Sequence, residues 1–245
     1  MEIIVGKTSG FCAGVKNAVQ KAEQELENKN QEIYCLGELV HNKQVIEKLE
    51  QKGLIFIDNI NKNHKKVIIR AHGIPKKIYE KAKKENIELL DFTCPKVLQI
   101  HKIAGQYEKE NYSIILIGIK NHPEVIGING WCDNSAIITK DGSDFDEIEN
   151  FPKKLCIVCQ TTNKLSNFEK AVEEATRLTK ELVVFNTICS ATEVRQKNAE
   201  ELSKQVDVMI VIGGRHSSNT NKLYEICKKN CENTILIENS SEIPD

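Results

Sequence analysis

Three short stretches of this 245-residue chain share one pattern: an apolar run, a cysteine and the start of a helix. They read EIIVGKTSGFCAG, ELLDFTCPKV and ELVVFNTICSATEV, with cysteines at positions 12, 94 and 189, so 82 and 95 residues apart. A thiolate just ahead of a helix is stabilised by the free backbone N–H groups and the helix dipole. Pro95 suits the first helical position, where its missing N–H has no partner anyway. Any one of these cysteines alone reads as a small buried residue at a crowded turn. Three at matching places, a small domain's length apart, read as a converging ligand set from three similar lobes. Such a set can hold zinc or an iron–sulfur cluster. A four-iron cluster held by three cysteines leaves one iron open to a substrate, as a Lewis acid that also relays electrons.

Each lobe carries polar loops as well. CLGELVHNK, ILIGIKNHPEV and IVIGGRHSSNTNK are strands ending in a polar turn, and His41, His122 and Ser217 lie 28 or 29 residues after their cysteines. A second turn, RAHGIP around His72 and CQTTNK around Thr161, leads to the next cysteine in two lobes. Loops following strands are where sites concentrate. Three imidazoles with Ser217, Ser218 and Asn219 offer many donors to one anion, and a diphosphate fits that set. Taken singly, the histidines read as structural and the serines as N-caps. Glu124, in NHPE, is the carboxylate placed to move a proton, or else a first-turn helix acid. Gln160 and Thr161 complete the lining, and Arg70, two before His72 on a strand, is expected as an ion-pair partner behind it.

The elements that must carry these loops alternate. Apolar runs at Ile33–Leu36, 67–70, 114–119, 155–158, 183–185 and 208–212 read as strands. Helical patterns cover 17–27, 43–51, 76–84, 168–178 and 222–229, so the fold class is α/β with mostly parallel sheet. Lobes are expected at 13–95, 96–189 and 190–245, changing just past each cysteine, as a pseudo-threefold trefoil around the central site. The strand at 2–5 is assigned to the third lobe. That lobe's second polar turn would fall past TILIENSSEIPD, so a segment the fold uses is expected to be missing. Cys156 and Cys159 lie three apart on a strand, on opposite faces, and read as core. Cys227 and Cys231 share a helix face and also read as packing, and Cys35 and Cys132 have no partner in the pattern.

Bulk properties narrow the class. The chain has 34 basic and 35 acidic residues, a net charge of −1 and no aromatic-interleaved basic patch, so nucleic acid is not indicated as a partner. Lysine runs such as 81–84 read as solvated helix faces. Nine cysteines, an odd number scattered without a secretory leader, argue against a disulfide framework. No run reaches the roughly 18 apolar residues of a membrane helix, and a cytoplasmic address is expected.

The ordered series GFCAGV, GELVHN, RAHG, TCP, NHPEV, QTT, TIC and SSNTN spans nearly the whole chain and resembles the 4-hydroxy-3-methylbut-2-enyl diphosphate reductase family. The resemblance implies a trefoil of α/β lobes around a [4Fe-4S] cluster on Cys12, Cys94 and Cys189. It also implies reductive removal of an allylic hydroxyl, giving isopentenyl and dimethylallyl diphosphates in the non-mevalonate isoprenoid pathway. By motif match His41, His72, His122, Ser217, Ser218 and Asn219 hold the diphosphate, Glu124 delivers the proton with Thr161, and Gln160 supports them. Ferredoxin or flavodoxin is the implied electron donor. The family continues with a further glycine- and serine-containing turn, in some bacteria followed by RNA-binding repeats, and many relatives have Lys-Asn where this chain has Arg215-His216. Two rivals remain at this stage: a zinc hydrolase of a phosphorylated metabolite, and a module that sequesters such a ligand without metal.

Overall fold

The computed structural model describes residues 2–27 and 31–243. Two four-stranded parallel sheets and one two-stranded sheet organise it. In the first, β1 (Ile33–Leu36), β2 (Leu54–Ile57), β3 (Lys66–Ile69) and β4 (Glu88–Asp91) lie in the order β2-β1-β3-β4. In the second, β5 (Ser113–Ile117), β6 (Ile137–Thr139), β7 (Lys154–Cys159) and β8 (Glu181–Val184) repeat it as β6-β5-β7-β8. The third pairs β9 (Met209–Ile212) with β10 (Thr234–Ile237). Every ladder is parallel, which needs crossover connections and explains the alternation with helices.

The helices are α1 (Ala13–Glu27), α2 (Lys43–Gln51), α3 (Lys76–Glu85), α4 (Pro95–Lys109), α5 (Pro123–Asn129), α6 (Leu165–Leu178), α7 (Ser190–Ser203) and α8 (Ser218–Asn230). They cover both faces of the two large sheets, so the central strands are apolar runs rather than alternating ones. Ile114 to Ile117 are all buried, with Ile115 and Ile117 in one cluster and Ile114 and Leu116 in the other. Cys159 and Cys156 divide the same way, to opposite faces of β7, as the two-residue period requires. Full burial of each such isoleucine contributes about 1.5–3 kcal/mol. Cys227 and Cys231 are buried too, their thiols facing the carbonyls of Ala199 and of Val206 and Asp207.

The expected strand at 2–5 does not form. Its counterparts before the other cysteines, β4 and β8, pair with β3 and β7, which in turn pair with β1 and β5. Among the described residues no strand stands beside β9 in the place of β3 or β7, so the run 2–5 has no ladder to join. Ile3 is 77% exposed and Val5 74%. Local sequence supplies strand propensity, but a strand needs a partner.

Several helices start earlier than the apolar period suggests. α1 begins right after Cys12, and α8 begins at Ser218. The extra turns are made of small or polar residues that carry no periodic signal. This matters for the site, because it is the first turns that face it.

Candidate active site

Each of the three cysteines directly precedes a helix: Cys12 before α1, Cys94 as N-cap of α4, Cys189 as N-cap of α7. They are half-buried, whereas the other six cysteines are buried. The Cys12 and Cys94 sulfurs share one space, and Cys189 is near enough for its charge to act on Cys94. A Cβ on Gly14 would stand 2.9 Å from the Cys94 Sγ and 4.0 Å from the Cys12 Sγ, so glycine there keeps the approach open. Burial raises the Cys94 thiol pKa, backbone N–H groups of Lys96 and Val97 lower it, and the charges of Cys12 and Cys189 raise it again. Three soft donors with helix N–H groups behind them, none in a disulfide and not drawn within 4.8 Å of one another as the histidines are, suit an iron–sulfur group rather than one small ion.

The polar turns are tied directly to these cysteines. The Cys94 N–H donates to the Ala71 carbonyl at 3.0 Å, and the Cys189 N–H donates to the Thr161 carbonyl at 3.0 Å. The second turn of each large lobe therefore holds the cysteine at the end of that lobe, and His72 and Glu124's partner Thr161 are brought in with it. Glu124 is 2% exposed and accepts from the Thr161 N–H at 2.6 Å and the Thr161 hydroxyl at 2.8 Å. Burial pushes its pKa up to about 7 against the opposing pull of those two bonds. A carboxyl poised there can hold or give a proton at neutral pH.

His41, His72 and His122 come together from two turns after β1 and β3 and one after β5. One ring nitrogen of each lies within 4.8 Å of the others, and the ring centroids are 4.7, 5.7 and 5.3 Å apart. The His122 Nδ1 accepts from the Glu124 N–H at 3.1 Å, so in the neutral ring the proton sits on Nε2, free to donate. His41 Nε2 and His72 Nδ1 are buried without a partner. Burial first, and then mutual repulsion and Arg70, lower the pKa of His72 well below its usual value and of His122 to about 4; burial lowers His41 too. Three imidazoles of this spacing can take a metal or an anion. At His41 the Glu38 carboxylate, 3.4 Å from Nδ1, opposes the effect of burial, whereas His72 and His122 feel Arg70 and their fellow imidazoles with no carboxylate against them, so the field at those two rings favours an anion.

Arg70 does not form the expected ion pair: among the described residues it has no carboxylate partner. Its Nε is buried unbonded and its guanidinium packs over Gly37, because β3 ends at Ile69 and the chain turns there. The SSN motif divides its tasks. Ser217 is the N-cap of α8, its hydroxyl accepting from the Thr220 N–H at 3.3 Å. Ser218 faces the second lobe, with the Thr162 hydroxyl at 2.9 Å and the Gln160 Nε2 at 3.3 Å. Asn219 follows on the first turn, half-buried. Gln160 also accepts from the Ile119 N–H at 3.0 Å, so it links the loops rather than touching Glu124. The third lobe reaches the histidines through Gly214, where a Cβ would stand 2.2 Å from the His41 carbonyl oxygen.

A cavity of about 520 Å³ opens between the lobes, lined by His41, His122, Ser218 and, unanticipated from the pattern, Lys222 and Asn221. Thr162 was also missed; the doubled threonine of QTT was its only signal. Lys222 had one too, its position one turn after Ser218 on the same helix face.

Comparison with known proteins agrees with this arrangement. The family model described as LytB protein matches residues 3–245. A Clostridium tetani 4-hydroxy-3-methylbut-2-enyl diphosphate reductase is 51% identical over 252 residues, covering 100% of this chain and 39% of the relative, so the chain spans well under half of that protein's length. The Caldanaerobacter subterraneus reductase is 48% identical, with 99% of this chain and 86% of the relative covered. A solved structure of (E)-4-hydroxy-3-methyl-but-2-enyl diphosphate reductase, the terminal enzyme of the non-mevalonate pathway, superposes with a TM-score of 0.72 at 39% identity, over 99% of this chain and 87% of that one. The Plasmodium falciparum reductase superposes with a TM-score of 0.88 at 36% identity, over 96% and 75%. With the fold, the ordered motifs and the full-length match in agreement, this chain belongs to the LytB protein family.

Proposed function

We propose that the chain is a 4-hydroxy-3-methylbut-2-enyl diphosphate reductase of the cytoplasm, built as lobes 13–95, 96–189 and 190–245. Its substrate is (E)-4-hydroxy-3-methylbut-2-enyl diphosphate. The allylic C–O bond breaks, two electrons and two protons enter, and water and isopentenyl or dimethylallyl diphosphate leave. Cys12, Cys94 and Cys189 would hold a [4Fe-4S] cluster, which when bound supplies the electrons and an open coordination position for the hydroxyl. A ferredoxin or flavodoxin is the donor that the family resemblance points to.

The observation that carries this reading is the position of Thr161. It bonds the Glu124 carboxyl through its N–H and hydroxyl and holds the Cys189 N–H through its carbonyl. The acid is thus linked, through one residue, to a cysteine of the ligand set. Glu124 gives its proton to the departing hydroxyl, and the bonds from Thr161 stabilise the carboxylate left behind. His41, His72 and His122, with Ser217, Ser218 and Asn219 at the start of α8, hold the diphosphate, and Gln160 fixes the loops around it. In the free protein the imidazoles are neutral; a bound anion raises their pKa values and draws in protons.

The test is single-turnover reduction of the hydroxylated substrate by the anaerobically purified protein and a chemical reductant. Formation of the two dehydroxylated diphosphates is expected; reductant oxidation without loss of the allylic hydroxyl would end the reading.

A further inference from the structure

Lys222 is 7% exposed, in a chain whose other lysines are mostly solvated. It stands four residues after Ser218 on α8, on the face that packs against the second lobe's loops. Among the described residues its ammonium makes no hydrogen bond and no ion pair. The nearest acid along the helix, Glu225, is taken by Lys164. Burial lowers the Lys222 pKa; Glu225 opposes that, and Lys164 and Lys140 add to it. The stem is buried while Nζ keeps contact with open space at the cavity the residue lines, and an ammonium held there without a hydrogen-bond or ion-pair partner is satisfied most simply by a ligand of opposite charge.

The cavity in question is the one that His41, His122 and Ser218 also line, with two carboxylates at its wall that are already engaged, Glu38 by His41 and Glu225 by Lys164. The imidazoles there are held neutral by burial, so they offer hydrogen bonds but little charge until a proton arrives. We propose that Lys222 is a second fixed cation of the site, in addition to Arg70 at the histidines, and binds the phosphoryl oxygens of the anionic ligand directly. This rests on the diphosphate reading above and deepens it: it assigns to α8 a fixed charge that neutral histidines and hydroxyls do not supply and that Arg70 supplies only on the histidine side. The alternative, a lysine whose stem merely covers the second lobe while its head reaches water, predicts packing without ligand contact.

Calorimetric titration of the cluster-loaded protein with inorganic diphosphate separates the two. Lys222→Met is expected to bind at least tenfold more weakly, with a weaker dependence on ionic strength because one charge has left the pocket. Lys222→Arg is expected to stay within about threefold of the wild type, since it keeps the charge. Lys222→Gln keeps most of the stem and gives the same weakening as Met, so it carries the test if the Met variant does not fold. Unchanged affinity and salt dependence in the Gln or Met variant, with normal binding by the wild type, overturns the role of Lys222 and leaves the diphosphate reading standing. No diphosphate binding by the wild type overturns both.

Discussion

The two ends of the site are built on different plans. The cysteine end follows the repeat: one thiol per lobe, each just before a helix, two of them fastened by the same N–H to carbonyl bond from the preceding turn. The histidine end breaks it. Two imidazoles come from the first lobe and one from the second, while the third contributes Ser218 and Lys222. The difference teaches what each end is for. Under the proposed function, near-threefold symmetry would suit a compact inorganic centre that takes equivalent ligands, and an elongated, charged substrate would need different groups along its length.

Replacing one member of the symmetric set tests the comparison most severely. Cys94→Ser is expected to abolish bound iron and inorganic sulfide and to remove all measurable turnover, read by metal analysis and by the visible absorption of the cluster. Next comes the junction of the two ends. Glu124→Gln keeps the cluster and diphosphate affinity but lowers turnover by about 10²–10⁴-fold, the usual worth of a positioned proton donor. In the wild type the protonated carboxyl disappears above about pH 7, so turnover falls on that side, and the Gln variant lacks that limb.

The asymmetric end gives smaller effects. His122→Asn is expected to raise KM by about 10–100-fold, with less change in kcat than Glu124→Gln produces, because it removes one hydrogen bond to a charged group. Titrations of the wild type with inorganic diphosphate in buffers of different ionisation enthalpy should show net proton uptake near pH 7. The sign follows from the depressed imidazole pKa values of the free protein, which an anion raises. His122→Asn should take up fewer protons. Outside both ends, Cys156→Ala is expected to cost about 1–2 kcal/mol in denaturant unfolding, from a lost sulfur in a packed core, with iron content unchanged.

Much of this was legible in the chain because the lobes repeat. The equivalence of His41, His122 and Ser217 comes from counting residues between a cysteine and the next polar turn; the structure brings the two histidines into one cluster, and it is Ser218 rather than Ser217 that lines the cavity with them. The two-residue period assigned Cys156 and Cys159 to opposite faces of β7, where they lie. What local pattern could not carry was pairing over distance. Among the described residues the run 2–5 has the composition of a strand and no ladder to join, and Arg70 has an ion-pair chemistry but forms no ion pair, feeling Glu38 only through its charge. Lys222 carried only a weak signal, its place one turn after Ser218: a lysine inside a charged helix pattern looks solvated until the packing of α8 on the second lobe is known.

The central claim is that three cysteines from three lobes share one iron–sulfur centre. Iron, inorganic sulfide and zinc, measured after anaerobic purification on the wild type and on Cys12→Ser, Cys94→Ser and Cys189→Ser, test it most directly. The account predicts iron and sulfide in equal amounts in the wild type and their loss in each of the three variants. Stoichiometric zinc without sulfide, or iron retained when any one of these thiols is removed, would contradict it.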